Sequence, residues 1–553
     1  MGRKFCALIW QIIKSWSHMK IWTVTREYAG ISEAGGVKNV TCSLSENLVK
    51  QGHSVVLFIP FYGCTDISQI IGYSAEWHKP VSVLVQGVAT EVCFSHGIRN
   101  GVEIVFVRHK AFAEKKAVYT YTKEEELLNP AHKKGHGHED VLFLNTLFQK
   151  AVVQYGTICE KNEQPDIIHC HDAVAAMVPV FLTYACKKNN AVRSFFEGTK
   201  CVTTIHNAGC GYHHEYSSLA QAAELTGLPK NVLAKGNSKG KIEPYLLASS
   251  CSRLTTVSPQ YAEEIMLRPH ETDGLSDYFT EHKVCITGIT NGIEWGRYNP
   301  SDTSVSLLPC AFNPIERDFA GKYGCRTVFL EKHASKNSLN RHLNKDVDQY
   351  GFIETVPEQN TVYIAYHGRV VEQKGISVLA KTARVLLEKH LPVKFIFIGQ
   401  GDPVLEQELV SLTEDFPGDT VFFNGFDRAL SRLCIASADF AVFPSRFEPC
   451  GTADFIAQIY GTLPLAHATG GLKKIVDEET GFLYEENTPE TLAGVLYSII
   501  RIVSQAGIAI FTSMMAFAAR YTKTMYSWET VVREQYIPLY ESLCGKEACQ
   551  KKK

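Results

Sequence analysis

The 553-residue sequence lacks an excess of charge of either sign. It has 56 lysines and arginines against 58 aspartates and glutamates, a formal net charge of −2, and its basic residues are dispersed along the chain. Nucleic acids and anionic membrane surfaces are bound by clustered cations, which are missing here. The composition therefore argues against both partners and favours a small molecule or a neutral polymer.

The sequence also lacks an ordered cysteine pattern. Its 17 cysteines include no Cys-x-x-Cys pair and no regular spacing of a disulfide scaffold. Scattered cysteines of this kind are typical of reduced thiols in a cytosol, and they give no zinc site. We therefore predict a cytoplasmic protein.

Long uninterrupted apolar runs are missing as well. The first 18 residues, MGRKFCALIWQIIKSWSH, have an apolar core that Gln11 and Lys14 interrupt, and they lack a small-residue cleavage site. We interpret this stretch as a dispensable N-terminal extension (1–18) or an over-long start rather than a signal peptide. The later run LYSIIRIVSQAGIAIF contains Arg501 and Gln505, which predicts no membrane span there.

The sequence does contain short β-branched runs that alternate with helical patterns, the mark of parallel α/β units. With 45% hydrophobic residues the chain is long enough for several cores, and no short-period repeat is present. We predict an α/β protein with two doubly wound, Rossmann-like domains that face each other across a cleft. The predicted divisions are an N-terminal domain (19–285), a second Rossmann-like domain (286–520), a hinge near 291–299, and a final segment (521–545).

The ends of the strands in the first half carry polar groups. Ligands of parallel sheets bind beyond the carboxyl ends of the strands. DIIHCHD places His169 and His171 on one face and Asp172 at the tip, while CVTTIHN ends in His206 and Asn207. We interpret His169 as a hydrogen-bonded core histidine and the tip residues as the lining of a cleft.

The second half carries the sharper pattern. HGRVVEQKG places Arg369 and Lys374 between a strand and a helix, where two cations and the helix dipole suit a phosphate; a solvated charged turn is the alternative. FPSRFEPCG places Glu448 in a turn just before another helix, where a simple helix-capping acid is the alternative. Gly-x-Gly in IGQGD and Gly-Gly in ATGGL add backbone that a nucleotide could approach.

Two other groupings could imitate metal sites. Asp346 and Asp348 lie in a lysine-rich connector and are interpreted as solvated. His132, His136 and His138 have spacings that a metal cluster could use. We interpret them as a flexible loop before a helix that Asp140 caps, and predict no metal.

The motifs, in their order along roughly residues 19 to 545, resemble the bacterial glycogen synthase and starch synthase family of retaining glucosyltransferases, which has the two-domain GT-B fold. The resemblance is carried by GGV, HCHD, TIHN, TTVSP, TNGI, GRVVEQKG, IGQGDP, PSRFEPCG, YGTLP and TGGL. It implies a hexosyltransferase that moves glucose from a nucleotide diphosphate glucose, usually ADP-glucose, to the non-reducing end of an α-1,4-glucan with retention of configuration. It also implies that the C-terminal domain (286–520) binds the nucleotide sugar and that the final segment (521–545) returns to the N-terminal domain.

The resemblance also implies roles for individual residues. Arg369 and Lys374 would hold the donor diphosphate, Glu448 would lie beside the glucose, and Asp172 and His206 would line the cleft near the sugar. Whether Glu448 is a nucleophile or an electrostatic partner stays open. No metal cofactor is needed if the two cations neutralise the leaving group. Further donor contacts are implied for Gly35, Gly36, Gly399, Gly401, Cys450, Gly451, Thr469, Gly470 and Gly471.

Several positions depart from the family pattern. Glu33 stands where the glycine loop usually has lysine, Ala173 and Val174 replace an aromatic residue and a histidine, and Ala453 replaces Asn or Thr. Lys38 is the candidate to neutralise Glu33 or to take over the phosphate contact, while a solvated Glu33 is the alternative. UDP-glucose stays open as the donor. Two other functions remain: a GT-B glycosyltransferase with a small-sugar or lipid-linked acceptor, and a glucan-binding regulatory protein of low turnover. A phosphorylase is disfavoured, since no pyridoxal lysine context is found.

Overall fold

A computed structural model describes residues 18–269, 272–338, 347–354 and 360–545 of the chain. Residues 1–17 of the predicted extension and Asp346 lie outside the described residues. Asp348 is described, and its side chain is exposed on an edge strand, as expected for a solvated acid.

The chain divides into two compact units. Unit 1 comprises Met1–Ile289 and Val531–Lys553, and unit 2 comprises Thr290–Thr530. These divisions differ from the sequence-based boundaries after residues 285 and 520. A strand at Ile286–Gly288 pairs with Arg253–Thr256, so a cut at 285 would remove it from its own sheet. Tyr526 packs its ring on Phe455, which keeps residues before 531 in unit 2.

Unit 1 is built on a mixed ten-stranded sheet in the order β12-β11-β8-β7-β1-β2-β6-β5-β3, with β4 paired to β5. Contacts are parallel from β12 to β6 and antiparallel among β3, β4, β5 and β6. Six β-branched runs of the first half predict strands, and all six form strands: KIWTVTRE, SVVLFIPF, EIVFVRH, DIIHCHD, CVTTIHN and RLTTVSP. The unit's strands are β1 Lys20–Val24, β2 Ser54–Pro60, β3 Ile71–Ser74, β4 Val81–Val85, β5 Val88–Arg99, β6 Val102–Arg108, β7 Ile167–His171, β8 Lys200–Ile205, β9 Asn237–Ser238, β10 Lys241–Ile242, β11 Arg253–Thr256 and β12 Ile286–Gly288.

Helices surround this sheet, and an aromatic cluster centred on Trp22, Phe58 and Tyr155 fills the core beneath one of its faces. Burial of such rings is the main source of stability. The helices are α1 Val37–Lys50, α2 Lys110–Ala113, α3 Lys123–Leu128, α4 Val141–Tyr155, α5 Ala173–Ala176, α6 Val178–Lys188, α7 Asn190–Phe195, α8 Leu219–Thr226, α9 Lys230–Leu233, α10 Pro244–Ser249, α11 Pro259–Leu267 and α12 Leu275–Glu281.

The end of the chain packs in unit 1. A π-helical turn at Val532–Tyr536 leads into a helix at Ile537–Leu543. Tyr540 of this helix is fully buried, and its hydroxyl lies 2.7 Å from Nδ1 of His169. The other ring nitrogen of His169 lies 2.6 Å from Oγ1 of Thr204. His169 is therefore a hydrogen-bonded core residue, as the sequence predicted.

Unit 2 contains a seven-stranded sheet in the order β13-β16-β15-β14-β17-β18-β19, parallel except for the edge pair β13 and β16. Alternate residues of β14 enter different cores: Ile364 joins one buried cluster and Ala365 the other. Both faces of the sheet are thus covered, as parallel sheets require. The strands are β13 Val347–Ile353, β14 Val362–His367, β15 Val393–Gly399, β16 Asp419–Gly425, β17 Phe440–Phe443, β18 Leu463–His467 and β19 Phe482–Tyr484.

The helices of unit 2 cover these two faces. They are α13 Trp295–Tyr298, α14 Thr303–Ser306, α15 Ala320–Lys332, α16 Ile376–Glu388, α17 Pro403–Asp415, α18 Arg428–Ser437, α19 Ala453–Ile459, α20 Pro489–Ala506, α21 Thr512–Tyr526 and α22 Trp528–Val531.

No single helix in the described part of the chain is both long and apolar enough to cross a membrane. The pair Pro489–Ala506 and Ile508–Tyr526 passes the same criteria jointly, but it bends by 113° at its break. Leu496, Ile500 and Met515 of this pair are buried in the core of unit 2.

Candidate functional site

The loop after β14 carries the two predicted phosphate-binding cations. Arg369 is exposed, and its guanidinium donates to Oε1 of Gln373 at 3.2 Å. Lys374 ends a 3₁₀ turn at Glu372–Lys374, directly before Gly375. Gly375 has φ of 70°, and a side chain there would lie 1.8 Å from the carbonyl oxygen of Pro444. The glycine is therefore required for this loop to lie against the loop that follows β17.

Lys374 and Glu448 are paired. The Lys374 ammonium donates to the Glu448 carboxylate, whose side chain is 14% exposed, and Ser445 Oγ lies 3.2 Å from the same oxygen. Gln373 holds the two loops together, because its carbonyl accepts from the Arg446 amide and its side chain donates to the Phe447 carbonyl. The predicted cation and the predicted acid thus meet in one half-buried group beyond the strands of unit 2.

Gly399 and Gly401 lie where the loop after β14 crosses the end of β15. A side chain at Gly399 would lie 1.8 Å from the Gly368 carbonyl oxygen, and one at Gly401 would lie 2.2 Å from that of Val370. The close approach of the backbone is therefore sufficient to explain why both positions are glycine. A contact with the donor remains a prediction for both glycines.

The Cys450–Gly451 turn and the Gly-Gly segment after β18 lie against each other. The Gly471 amide donates to the Glu448 carbonyl at 2.8 Å, and a side chain at Gly471 would lie 2.1 Å from the Cys450 carbonyl oxygen. Thr469 precedes a 3₁₀ turn at Gly470–Lys474. These predicted donor contacts therefore form one packed backbone unit with Glu448.

In unit 1, Asp172 and His206 lie together at the ends of β7 and β8. Asp172 has φ of 60°, and its Oδ1 accepts from the His206 amide at 2.8 Å and from the Tyr245 hydroxyl at 3.3 Å. His206 Nε2 lies 3.0 Å from Nδ1 of His171, and the rings of His169 and His171 stack at 4.3 Å. The sequence-predicted tip residues of these two strands are thus in contact.

Burial controls the charge of this cluster. It raises the pKa of Asp172 to about 7, although the hydrogen bonds from His206 and Tyr245 oppose it. It lowers the pKa of His206 to about 4 and that of His171 well below its usual value. Near neutral pH the histidines are therefore uncharged, and Asp172 changes protonation in that range.

The glycine loop of unit 1 is occupied by a carboxylate. Glu27, fully buried at the end of the β1 run, accepts from the amides of Ala34 and Gly35 through Oε2. A side chain at Gly36 would meet nothing within 4 Å, and the φ of Gly36 is −79°. In this structure the amide of Gly35 thus binds an acid of the chain itself, a partner that the sequence did not suggest.

Glu33 is paired with Lys38. The two side chains lie 2.8 Å apart and are 47% and 23% exposed. Glu33 also accepts from the Gly30 amide. Of the possibilities left open by the sequence, the structure shows Glu33 neutralised by Lys38.

The prediction that Asp140 caps the helix after the histidine-rich loop is not confirmed. Asp140 occupies the N-cap position of α4, but its side chain makes no capping hydrogen bond; the carboxylate lies 2.8 Å from Nζ of Lys115 instead. In the described part of the chain, the one group of potential metal ligands is His213, Glu215 and Glu243. The loop histidines 132, 136 and 138 are not part of it.

His213 is better explained as a cation than as a metal ligand. Its Nδ1 lies 3.0 Å from Glu243 Oε2 and its Nε2 lies 2.6 Å from the Ala208 carbonyl oxygen. Both ring nitrogens face acceptors, so both carry protons and neither offers a lone pair. Burial favours the neutral ring, but the hydrogen bond and charge of Glu243 outweigh burial and raise the pKa of His213 to about 9.

A pH dependence of stability follows from this pair. Because the folded pKa lies above the unfolded value of about 6.5, the stabilisation is complete below that pH and is lost as pH rises through about 9. We expect the wild type to have a higher Tm than Glu243→Gln at pH 7 and to lose that advantage by pH 9.5. Thermal unfolding of both proteins across this range checks it, and a constant difference would contradict it.

Comparisons with known proteins match most of the chain. The family model described as starch synthase catalytic domain matches residues 20–281, and the model for glycosyl transferases group 1 matches residues 361–501. The glycogen synthase of Thermodesulfovibrio yellowstonii is 29% identical over 549 residues, which cover 95% of this chain and 98% of the relative. The glycogen synthase of Geotalea daltonii is 28% identical, and the match covers 96% of this chain and 100% of that relative.

A solved structure supports the fold. The catalytic domain of starch synthase IV from Arabidopsis thaliana, bound to ADP and acarbose, matches with a TM-score of 0.74 at 22% identity, over 96% of this chain and 100% of that one. The predicted fold class is confirmed. The chain therefore belongs to the bacterial glycogen synthase and starch synthase family of retaining glucosyltransferases, with the GT-B fold.

Proposed function

We propose that the protein is a glycogen synthase that transfers glucose from ADP-glucose to the non-reducing end of an α-1,4-glucan, and that Arg369, Lys374 and Glu448 act on the donor. The observation that carries this proposal is the meeting of Lys374 and Glu448 beside Arg369, on neighbouring loops at the carboxyl ends of β14 and β17. This edge is where ligands of parallel sheets bind.

The chemistry of the reaction suits these groups. Breaking the anomeric bond leaves negative charge on the diphosphate and positive charge on the sugar. Arg369 and Lys374 would stabilise the first, and the Glu448 carboxylate the second. No metal enters this proposal, because two side-chain cations serve the leaving group.

Donor binding would change the partner of Lys374. Its ammonium is paired with the Glu448 carboxylate in this structure. An arriving diphosphate would draw the ammonium toward itself, since a dianion attracts it more strongly than a single carboxylate does. The Glu448 carboxylate would then be free to face the glucose.

In unit 1 we propose a second set of sugar contacts. Asp172 and His206 are held together at two strand tips, and near neutral pH His206 is an uncharged donor or acceptor. Such groups suit sugar hydroxyls, which hydrogen-bond without carrying charge. Gly35 and Gly36 would approach the phosphates, as the family resemblance implies, once Glu27 releases the Gly35 amide.

The direct test compares donors. The purified protein is incubated with ADP-glucose or UDP-glucose, each with and without glycogen, and nucleotide release is measured. We expect release that depends on glycogen and is faster with ADP-glucose. Faster release with UDP-glucose would overturn the donor assignment, while release that is independent of glycogen would overturn the acceptor.

A second candidate function is a glucan-binding protein of low turnover. The observation that favours it is Glu27, which occupies the amides of Ala34 and Gly35. The same assay separates the two, because this candidate binds glycogen without releasing nucleotide from either donor.

The Glu33–Lys38 pair gives a prediction about donor affinity. If the glycine loop approaches the phosphates, Glu33→Gln removes a repelling charge and releases Lys38. We expect the donor KM to fall about two- to fivefold, the effect of one exposed charge interaction. Donor KM is measured at saturating glycogen.

Asp66→Asn is the matched control, because Asp66 is an exposed acid that lines the same small cavity as Glu33. An equal fall of the donor KM in both variants, or no change in Glu33→Gln, would contradict the prediction.

A further inference from the structure

Lys474 occupies an unusual position behind the proposed donor loop. Its side chain is 4% exposed, and its ammonium lies 2.6 Å from the Cys450 carbonyl oxygen, 3.1 Å from that of Gly451, 3.0 Å from that of Gly471 and 3.0 Å from Asp454 Oδ1. Three N–H bonds thus serve four oxygen acceptors. The sequence reasoning missed this residue, because nothing in the stretch GGLKKIV indicates which lysine turns inward.

These contacts fix the direction of the backbone. In a trans peptide the carbonyl and the N–H of the next residue point in opposite directions. With the Cys450 carbonyl turned toward Lys474, the Gly451 N–H points away from the ammonium. No hydrogen-bond acceptor for this N–H is found among the described residues. Lys474 therefore leaves one backbone donor of the turn available.

The same contacts join two segments. Gly451 has φ of 73°, a conformation that a bulkier residue would adopt only with strain. Gly471 lies directly against Cys450, and its amide donates to the Glu448 carbonyl at 2.8 Å. The backbone from Glu448 to Cys450 is thus held by the segment that contains Lys474.

We propose that Lys474 is a positioning residue of the donor site: its buried ammonium holds the Glu448–Gly451 turn in the conformation that presents the Glu448 carboxylate and the Gly451 N–H to the nucleotide sugar. This inference rests on the proposed function. Lys474 itself touches no substrate, because its ammonium is surrounded by four protein oxygens.

A purely structural ion pair is the competing explanation. Asp454 is fully buried beside Lys474, and removal of one member of a buried pair destabilises a protein by leaving the other charge uncompensated. A simple Lys474→Met variant would therefore lose stability under either explanation. The two explanations differ when both charges are removed together.

The experiment uses three variants: Asp454→Asn, Lys474→Met and the double variant. Asp454→Asn keeps the lysine and its three carbonyl contacts, so we expect a donor KM within about threefold of wild type. The double variant leaves no unpaired charge and regains the Tm that Lys474→Met loses. We nevertheless expect its donor KM to stay about ten- to a hundredfold high, because the loss of one hydrogen bond to a charged group weakens binding by about that factor. Its KM for glycogen should stay within about twofold.

The outcomes separate this inference from the proposed function. If the wild type shows no glycogen-dependent nucleotide release, the proposed function fails, and ADP affinity measured by calorimetry replaces the donor KM in the same comparison. A double variant with the wild-type donor KM or ADP affinity overturns the positioning role. The positioning role is also overturned if Asp454→Asn raises the donor KM, or weakens ADP binding, as much as the double variant does. It is overturned as well if the wild type binds no ADP.

Discussion

We expect Arg369→Ala to lower the rate of glucose transfer by about a hundredfold or more while the protein stays folded. The guanidinium is exposed at the end of β14, and among the described residues its one hydrogen-bond partner is Gln373. Its removal therefore leaves no buried group there unpaired. Loss of one preorganised contact to charge that develops in the transition state costs about 3–4 kcal/mol. Steady-state kinetics with ADP-glucose and glycogen measures the effect, and circular dichroism checks the fold.

Arg446→Ala is the matched control for this prediction. Arg446 lies on the neighbouring loop and is 56% exposed, where it pairs with the exposed acid Glu372. We expect its loss to change turnover less than threefold, because exposed ion pairs contribute about 0–1 kcal/mol. Equal effects of the two substitutions would show that Arg369 has no special role toward the diphosphate.

Glu448→Gln should separate turnover from nucleotide binding. We expect turnover to fall about a hundredfold or more, because the charge that faces the developing positive sugar is gone. ADP should bind at least as tightly as to the wild type, because the substitution releases the Lys374 ammonium from its acidic partner. Turnover is measured with ADP-glucose and glycogen, and the affinity for ADP by calorimetry.

Glu372→Gln serves as the control for Glu448→Gln, since Glu372 is an exposed acid on the loop that carries Lys374. It should leave both quantities near the wild-type values. A Glu448→Gln variant that turns over normally, or one that loses ADP binding along with turnover, would contradict the role given to this acid.

The sheets were largely predictable from the sequence because their strands are short β-branched and aromatic runs that end in turn residues. The run TVYIAYHGR (361–369) contains β14, whose alternate residues pack in two different hydrophobic clusters. The antiparallel strands β3, β4 and β5 were not predicted, since half-exposed runs such as VSVLV carry no motif. The sequence-based boundary after residue 285 lies four residues before the end of this part of unit 1 at Ile289. It missed β12, because a strand of only three residues leaves little pattern in the sequence.

The sequence predicted a candidate site as a set of positions but not as a set of contacts. Strand-end position and motif order pointed to Arg369, Lys374 and Glu448, whereas the pairing of the last two depends on how two loops 74 residues apart in sequence pack together. Glu27 was missed for the same reason: its role follows from the fold of the loop that returns to it. Long-range contacts of side chains are set by tertiary packing, which local patterns do not encode.

The transfer of labelled glucose from ADP-glucose into glycogen tests the central claim most directly. The protein is incubated with ADP-glucose labelled in the glucose, the polymer is precipitated, and the label is then released with an exo-hydrolase specific for α-1,4 bonds. Wild type should place the label on non-reducing ends from which that enzyme removes it, and Arg369→Ala should transfer about a hundredfold less. Label that stays in ADP-glucose while the protein binds glycogen, or label that the exo-hydrolase cannot remove, would contradict the account.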